Sequence, residues 1–347
     1  MKIWRTILLV LGLAVSLPAI NVYSYTALYV FGDSLSDTGR NPPPEGTNYY
    51  NGRYSNGPLW VEYLSSSLGI PYNPSNNFAV SGSLTTDLPD QIAALQGASG
   101  LPTSLVTVLS GGNDFISVTE TGLVNSAQWG NLITNMVDNL TNAVGLLYTN
   151  GARHILVGNL ANLAQTPAFI AAETGSYSNL VVSKVNLFNQ TLYAAVTNEM
   201  QKYSGLRLYF FDDNRGFSNA LGTAAALGFT VTMRGALEDP SLENKSFNGP
   251  GVNYMFWDSI HPTTKMNVLT AAGAYQLVGV QLGMAHSNAN FTLTASNLYP
   301  SLPYTIQQST NLTAWSDVTA FTADNTNATM TLTNRMQSGG VFYRVSF

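Results

Sequence analysis

The chain has 347 residues, of which 45% are hydrophobic and only 10% charged, with a formal net charge of −5. That is ample apolar material for an enzyme-sized domain and a smaller module, while the acidic balance and the lack of a Lys/Arg cluster beyond the N-terminus exclude the electrostatic footprint of a nucleic-acid binder. There is no cysteine, so disulfides, thiolate catalysis and Cys-ligated zinc are excluded together and stability must come from packing.

The chain opens with basic Lys2 and Arg5, an apolar run from Ile7 to Ala19, and Val22, Tyr23 and Ser24 at the positions that govern cleavage. This is the three-part pattern of a secretory signal peptide, cut after Ser24. The run is shorter than the roughly 20 residues a spanning helix needs, and it contains Pro18. The expectation is a leader over 1–24 and a secreted or periplasmic mature protein.

Further on, short β-rich apolar segments alternate with helical stretches. Strands are predicted at Ala27–Asp33, Asn77–Gly82, Ser104–Ser110, His154–Leu160 and Leu206–Asp212. The helices fall at Pro58–Leu68, Asp87–Gln96, Ala127–Thr149, Tyr177–Tyr203 and Thr263–Leu282. Continuous apolar strands separated by helices predict an α/β fold, a three-layer doubly wound and mostly parallel sheet over 25–287. From 288 the composition shifts: 11 Thr, no helical period, and strict alternation in Val341, Tyr343, Val345 and Phe347 predict a small all-β module over 288–347. His286 falls in the expected linker.

Ligands in doubly wound sheets sit beyond the carboxyl ends of the strands, so polar residues there are the first candidates. The first strand runs into Gly32-Asp33-Ser34-Leu35-Ser36-Asp37, the second ends in Ala79-Val80-Ser81-Gly82, and the third ends in Ser110-Gly111-Gly112-Asn113-Asp114. The backbone N–H groups of Ser34 and of a glycine at these ends, with the amide of Asn113, make three donors of the kind a tetrahedral oxyanion needs. Each segment taken alone is better served by a plainer reading, with Ser34 or Ser36 as a helix cap, Gly82 and Gly112 in turns, and Asn113 as a cap. Only three histidines exist. His154 opens a buried strand as a structural residue, whereas His261 sits in Phe256-Trp257-Asp258-Ser259-Ile260-His261-Pro262-Thr263. The offset from Asp258 to His261 lets one loop turn both side chains to a common point. The alternative is a helix-entry loop with incidental polar residues.

Val30-Phe31-Gly32-Asp33-Ser34-Leu35-Ser36-Asp37-Thr38-Gly39 resembles the first block of the GDSL family of SGNH hydrolases, in its plant-type and bacterial lipase-like branch. Further blocks follow in order. They are Arg53-Tyr54-Ser55-Asn56-Gly57-Pro58-Leu59-Trp60-Val61, Asn77-Phe78-Ala79-Val80-Ser81-Gly82, Gly111-Gly112-Asn113-Asp114, Gly151-Ala152-Arg153 and Phe256 to Thr263. The resemblance implies a nucleophile at Ser34, oxyanion donors at Ser34, Gly82 and Asn113, and the acid and base at Asp258 and His261. It implies a secreted esterase or lipase working through an acyl-serine, without metal or organic cofactor, on a lipid or small-molecule ester. Acyl transfer, carbohydrate deacetylation, and a surface-binding protein that binds through its Thr- and Asn-rich tail beside a degenerate hydrolase domain are the alternatives. The last residues more weakly resemble β-sandwich-like modules of secreted bacterial proteins; the likeness assigns no ligand, and attachment to a surface or glycan is the partner expectation for this module. No Gly-x-Ser-x-Gly elbow, dinucleotide fingerprint or phosphate loop is present.

Overall fold

The computed structural model describes residues 25–43, 48–95, 97–98, 100–120, 126–171, 175–279, 281–287, 290–296, 303–310, 314–322, 327–333 and 342–346. The expected leader at 1–24 and the ends of the alternating run, Val341 and Phe347, lie outside them.

Four parallel strands, β1 (Leu28–Gly32), β2 (Leu105–Leu109), β3 (His154–Gly158) and β4 (Arg207–Phe211), form a sheet in the order β1-β2-β3-β4. All five residues of β1, β2 and β3 are buried, as expected of a parallel sheet covered on both faces. One face presents Tyr29, Phe31, Val106, Val108, Ile155, Val157 and Leu208 to a core shared with helices α2 (Leu88–Ala93), α4 (Ser126–Thr149) and α6 (Gly175–Lys202). On the other face Phe211 stacks on Trp60 of α1 (Trp60–Ser67), with ring centroids 6.1 Å apart. The three-layer α/β expectation is met.

The segment 77–82 is not a regular strand. It makes a single parallel bridge, Val30 to Asn77, and two hydrogen bonds, Phe78 N–H to Val30 O at 2.7 Å and Val80 N–H to Gly32 O at 3.1 Å. Asn77 takes the Ala79 N–H onto its own side chain at 3.0 Å, and local pairing of this kind competes with a ladder. The segment still runs beside β1 on the side away from β2. The winding therefore reverses at β1, and its carboxyl end is the topological switch point where such sheets hold ligands.

Short helices α3 (Gly112–Glu120) and α5 (Pro167–Ala171) follow β2 and β3, and α7 (Asp213–Gly222) follows β4. A two-stranded parallel pair, β5 (Val231–Gly235) and β6 (Tyr254–Phe256), leads to α8 (Thr264–Val278). The chain divides into a unit of Tyr25–Gly273 and a second unit from Ala274 onward. In the second, β7 (Gln281–Ser287), β8 (Asn290–Ser296) and β11 (Asn327–Thr333) form one antiparallel sheet, and β9 (Pro303–Ser309), β10 (Ser316–Thr322) and β12 (Phe342–Ser346) form another. Two expectations are corrected here. The last helix ends at Val278, where Gly279 N–H closes on Tyr275 O at 2.6 Å, and does not run to Leu282. Residues 281–287, His286 included, pair along their whole length with β8, so the antiparallel strands begin at Gln281 and not at 288.

Candidate active site

The site begins where β1 ends. Gly32 has φ +143°, and a Cβ there would lie 2.0 Å from the carbonyl oxygen of Leu109, so no other residue lets the two strands pair this closely before the turn. Gln91 clamps the same residue, its Oε1 accepting Gly32 N–H at 2.9 Å and its Nε2 donating to Gly32 O at 2.8 Å. The turn that follows is closed by Ser36 and Asp37 N–H groups donating to Asp33 O, both at 3.0 Å. Ser34 is buried at its top.

Asp37, fully buried, holds this loop to the next. Its carboxylate accepts the N–H groups of Gly39 (2.8 Å), Arg40 (2.6 Å), Asn41 (2.9 Å) and Ser81 (2.8 Å). Through Ser81 it fixes the turn carrying Gly82, which is exposed with φ +85°. Asn113, the second residue of α3, donates from Nδ2 to Ser83 O at 2.9 Å in that same turn. Gly82 and Asn113 are thus joined through Ser83, and Ser34 is joined to them through Asp37. Among the described residues, no acceptor is found for the N–H of Ser34 or of Gly82.

Asp258 and His261 lie in a loop pinned at its neck. Trp257 N–H donates to His261 O at 2.8 Å and Thr263 N–H to Met255 O at 3.0 Å. Inside it, Asp258 Oδ1 accepts the backbone N–H groups of Ile260 (2.9 Å) and His261 (2.7 Å). Oδ2 stands 2.7 Å from His261 Nδ1, and His261 Nε2 stands 2.8 Å from Ser34 Oγ across 227 residues of chain. All three side chains are buried. Ser34, His261 and Asp258 are therefore brought into one hydrogen-bonded line, while His154 lies apart, buried edge-on against Tyr25 at 5.3 Å with burial lowering its pKa. Burial opposes the charge of Asp258, but His261 and the hydrogen bonds outweigh it and hold the carboxyl below the usual range.

A family sequence profile described as GDSL-like lipase/acylhydrolase matches residues 28–273. The chain belongs to that family. As a GDSL family member it is a carboxylic ester hydrolase of the esterase/lipase class. A GDSL esterase/lipase of Arabidopsis thaliana is 26% identical over 314 residues, covering 72% of this chain and 81% of its own. A phosphatidylcholine-sterol acyltransferase of Aeromonas hydrophila is 24% identical over 339 residues, covering 81% and 98%. Among solved structures, an acetylxylan esterase from Geobacillus stearothermophilus aligns over 75% of this chain and 97% of its own, with 14% identity and a TM-score of 0.46.

The block 53–61 of this GDSL chain proves to be a brace. Ser55 Oγ donates to Pro262 O at 2.9 Å, Asn56 Oδ1 accepts Thr264 N–H at 2.8 Å, and the Tyr54 ring lies 4.7 Å from the His261 ring. Trp60 N–H donates to Asn267 Oδ1 at 2.9 Å and its Nε1 to Ser36 Oγ at 3.1 Å, tying α8 to the loop of Ser34. The sequence singled out this block by resemblance but gave none of its members a role. It also passed over Tyr49, whose hydroxyl donates to Asp258 Oδ2 at 2.9 Å and which carries no local signal. Among the described residues no group of three or more His, Asp or Glu could hold a metal ion, and no helix is long and apolar enough to cross a membrane.

Proposed function

We propose that the chain is a secreted serine esterase or lipase that cleaves lipid or short-chain acyl esters through an acyl-serine intermediate. The observation that carries this reading is the hydrogen-bonded line from Ser34 Oγ through His261 to Asp258. His261 Nε2 takes the Ser34 proton as Oγ attacks the ester carbon, and Asp258 holds the Nδ1 tautomer and compensates the imidazolium. The oxyanion is received by the N–H groups of Ser34 and Gly82 and the second amide hydrogen of Asn113, whose first is fixed on Ser83 O. His261 then protonates the departing alcohol, and water repeats the sequence to release the acid. No cofactor enters these steps.

A panel of chromogenic acyl esters of increasing chain length, run beside phospholipids and acetylated glycans, tests the reading. Turnover of the simple esters that vanishes in Ser34→Ala supports it, and turnover that survives in Ser34→Ala overturns it. The likeness to an acyltransferase over 98% of that relative's length favours one second reading, in which an acceptor alcohol replaces water on the same acyl-serine. Adding a primary alcohol or sterol to the assay and measuring the new ester separates the two.

A further inference from the structure

Of the four hydrogen bonds that the Asp258 carboxylate receives among the described residues, three come from its own loop: the N–H groups of Ile260 and His261, and His261 Nδ1. The fourth comes from Tyr49, 209 residues away in sequence, whose hydroxyl lands at 2.9 Å on Oδ2, the oxygen that also faces the imidazole. Tyr49 is itself buried, in a cluster with Ala236, Leu242, Tyr254 and Trp257, and Trp257 Nε1 donates to Asn48 O at 2.8 Å, fixing the backbone just before it. The phenol is thus held from two sides and aimed at one atom.

From this geometry we infer that Tyr49 is a positioning residue for the base, a fourth member of the line Ser34, His261, Asp258. The inference rests on the reading of those three as catalytic. Its physical content is twofold. Oδ1 is saturated by two backbone donors, so the only freedom left to the carboxylate is at Oδ2, and a second donor there fixes the direction in which His261 Nδ1 must point. A donor on Oδ2 also withdraws charge from the carboxylate, which keeps the Nδ1 proton on the imidazole and moderates how strongly the carboxylate favours the imidazolium. Tyr49 is buried and its hydroxyl is spent on Asp258, so it acts through Asp258 and not on substrate.

Tyr49→Phe keeps the ring and removes the donor. It is expected to lower kcat roughly 3- to 30-fold, only part of the worth of one hydrogen bond to a charged group because Asp258 keeps its other three donors, with KM nearly unchanged. The acidic limb of the kcat/KM profile should move to higher pH by about 0.3 to 1 unit. The ionisable groups facing this pair are Asp33 and Tyr54 toward His261, and Glu238 and Tyr49 toward Asp258; only Tyr49 is altered. Replacing Tyr49 by 3-fluorotyrosine, a stronger donor, should move the limb the other way, and this comparison alone decides the matter if the phenylalanine variant folds poorly. An order of limbs fluorotyrosine below tyrosine below phenylalanine supports the inference. Coincident limbs, or a loss of thermal stability with kcat intact, overturn it and leave Tyr49 a packing residue. Ser34→Ala run in parallel keeps the two levels apart. If it is inactive while Tyr49→Phe is normal, only this inference fails; if it is active, the serine mechanism fails and takes the role of Tyr49 with it.

Discussion

Two buried aspartates belong to the site, Asp258 behind His261 and Asp33 next to Ser34 in the chain, and the fold treats them oppositely. Asp258, across the imidazole, is held below the usual carboxylate range although burial pushes against it. Asp33, next to Ser34 in the chain, is pushed up to about 6, chiefly by burial, with the Leu35 N–H and the charge of His261 pulling back and Asp114 pushing further. The difference lies in how directly His261 faces each carboxylate and in the donors. Asp258 receives two backbone N–H groups, an imidazole and a phenol, whereas the bond from Leu35 N–H to Asp33 Oδ1 at 3.1 Å is the one side-chain bond to Asp33 found among the described residues. Burial alone does not set the direction of the shift; the imidazole facing Asp258 and the donors aimed at it together overcome burial there, and at Asp33 they do not. The loop 256–263 is built to hold a charge, and the end of β1 is built to keep donors such as the Ser34 N–H open.

The comparison breaks most visibly at the line of three. Ser34→Ala and His261→Ala are each expected to lower kcat by roughly 10⁴ or more, with the double variant little worse than either single, because the two act as a unit. A double variant far slower than both singles would show that they act independently. Asp258→Asn keeps the shape but presents an amide to Nδ1, and a loss of roughly 10³ to 10⁴ in kcat is expected. Steady-state kinetics on a short-chain ester reads all of these.

On the other side of Ser34 the expected loss is smaller. Asn113→Ala removes one of three donors, and kcat should fall by roughly 10² to 10³ with KM nearly constant, the signature of a group engaged only in the transition state. A rise in KM with kcat unchanged would make Asn113 a ground-state binder. Since Asn113 also spends a hydrogen on Ser83 O, the melting temperature of the variant should be recorded alongside, to separate a lost donor from a loosened turn.

What the sequence made legible was local. Polar residues at the ends of β1 and β2 stand out because the strands before them are continuously apolar, and the spacing of Asp258 and His261 is contained in one short loop. Ser34 next to His261 spans 227 residues, yet the rule that ligands gather at strand ends was enough to suspect it. Less legible was whatever depends on a partner far along the chain. Tyr49 is one of 18 tyrosines, and nothing in Asn48-Tyr49-Tyr50 distinguishes a packing ring from a donor to a distant carboxylate. Segment 77–82 has strand composition but spends the Ala79 N–H on Asn77. The end of α8 was misplaced because Leu282 and Met284 extend an apolar pattern that fits a helix as readily as the strand it enters, and the pairing with β8 decides between them. The opposite pKa shifts of Asp33 and Asp258 likewise depend on which groups converge on each carboxylate, which spacing does not reveal.

The smallest expected effect is also the sharpest test of the opposition between the two aspartates. Asp33 has a folded pKa of about 6 against an ordinary value of 3.8, so between those values the unfolded chain gives up a proton that the folded one keeps. Its contribution to stability is therefore fully present below about pH 4 and is lost as pH rises to about 6. Asp33→Asn cannot ionise and still offers an oxygen to the Leu35 N–H, so it should melt with the wild type near pH 4 and roughly 2 to 6 °C above it at pH 7. Asp258 runs the other way: its folded pKa lies below 3.8, so its stabilisation is present above that value and is lost as pH falls. Asp258→Asn should accordingly melt below the wild type at pH 7, with the gap closing toward pH 3. Thermal melts of the three proteins from pH 3 to 8 measure both differences against one baseline, so the other carboxylates cancel. If the two variants shift with the same sign at pH 7, the groups converging on each carboxylate do not separate the aspartates, and the end of β1 is not the charge-averse half of the site.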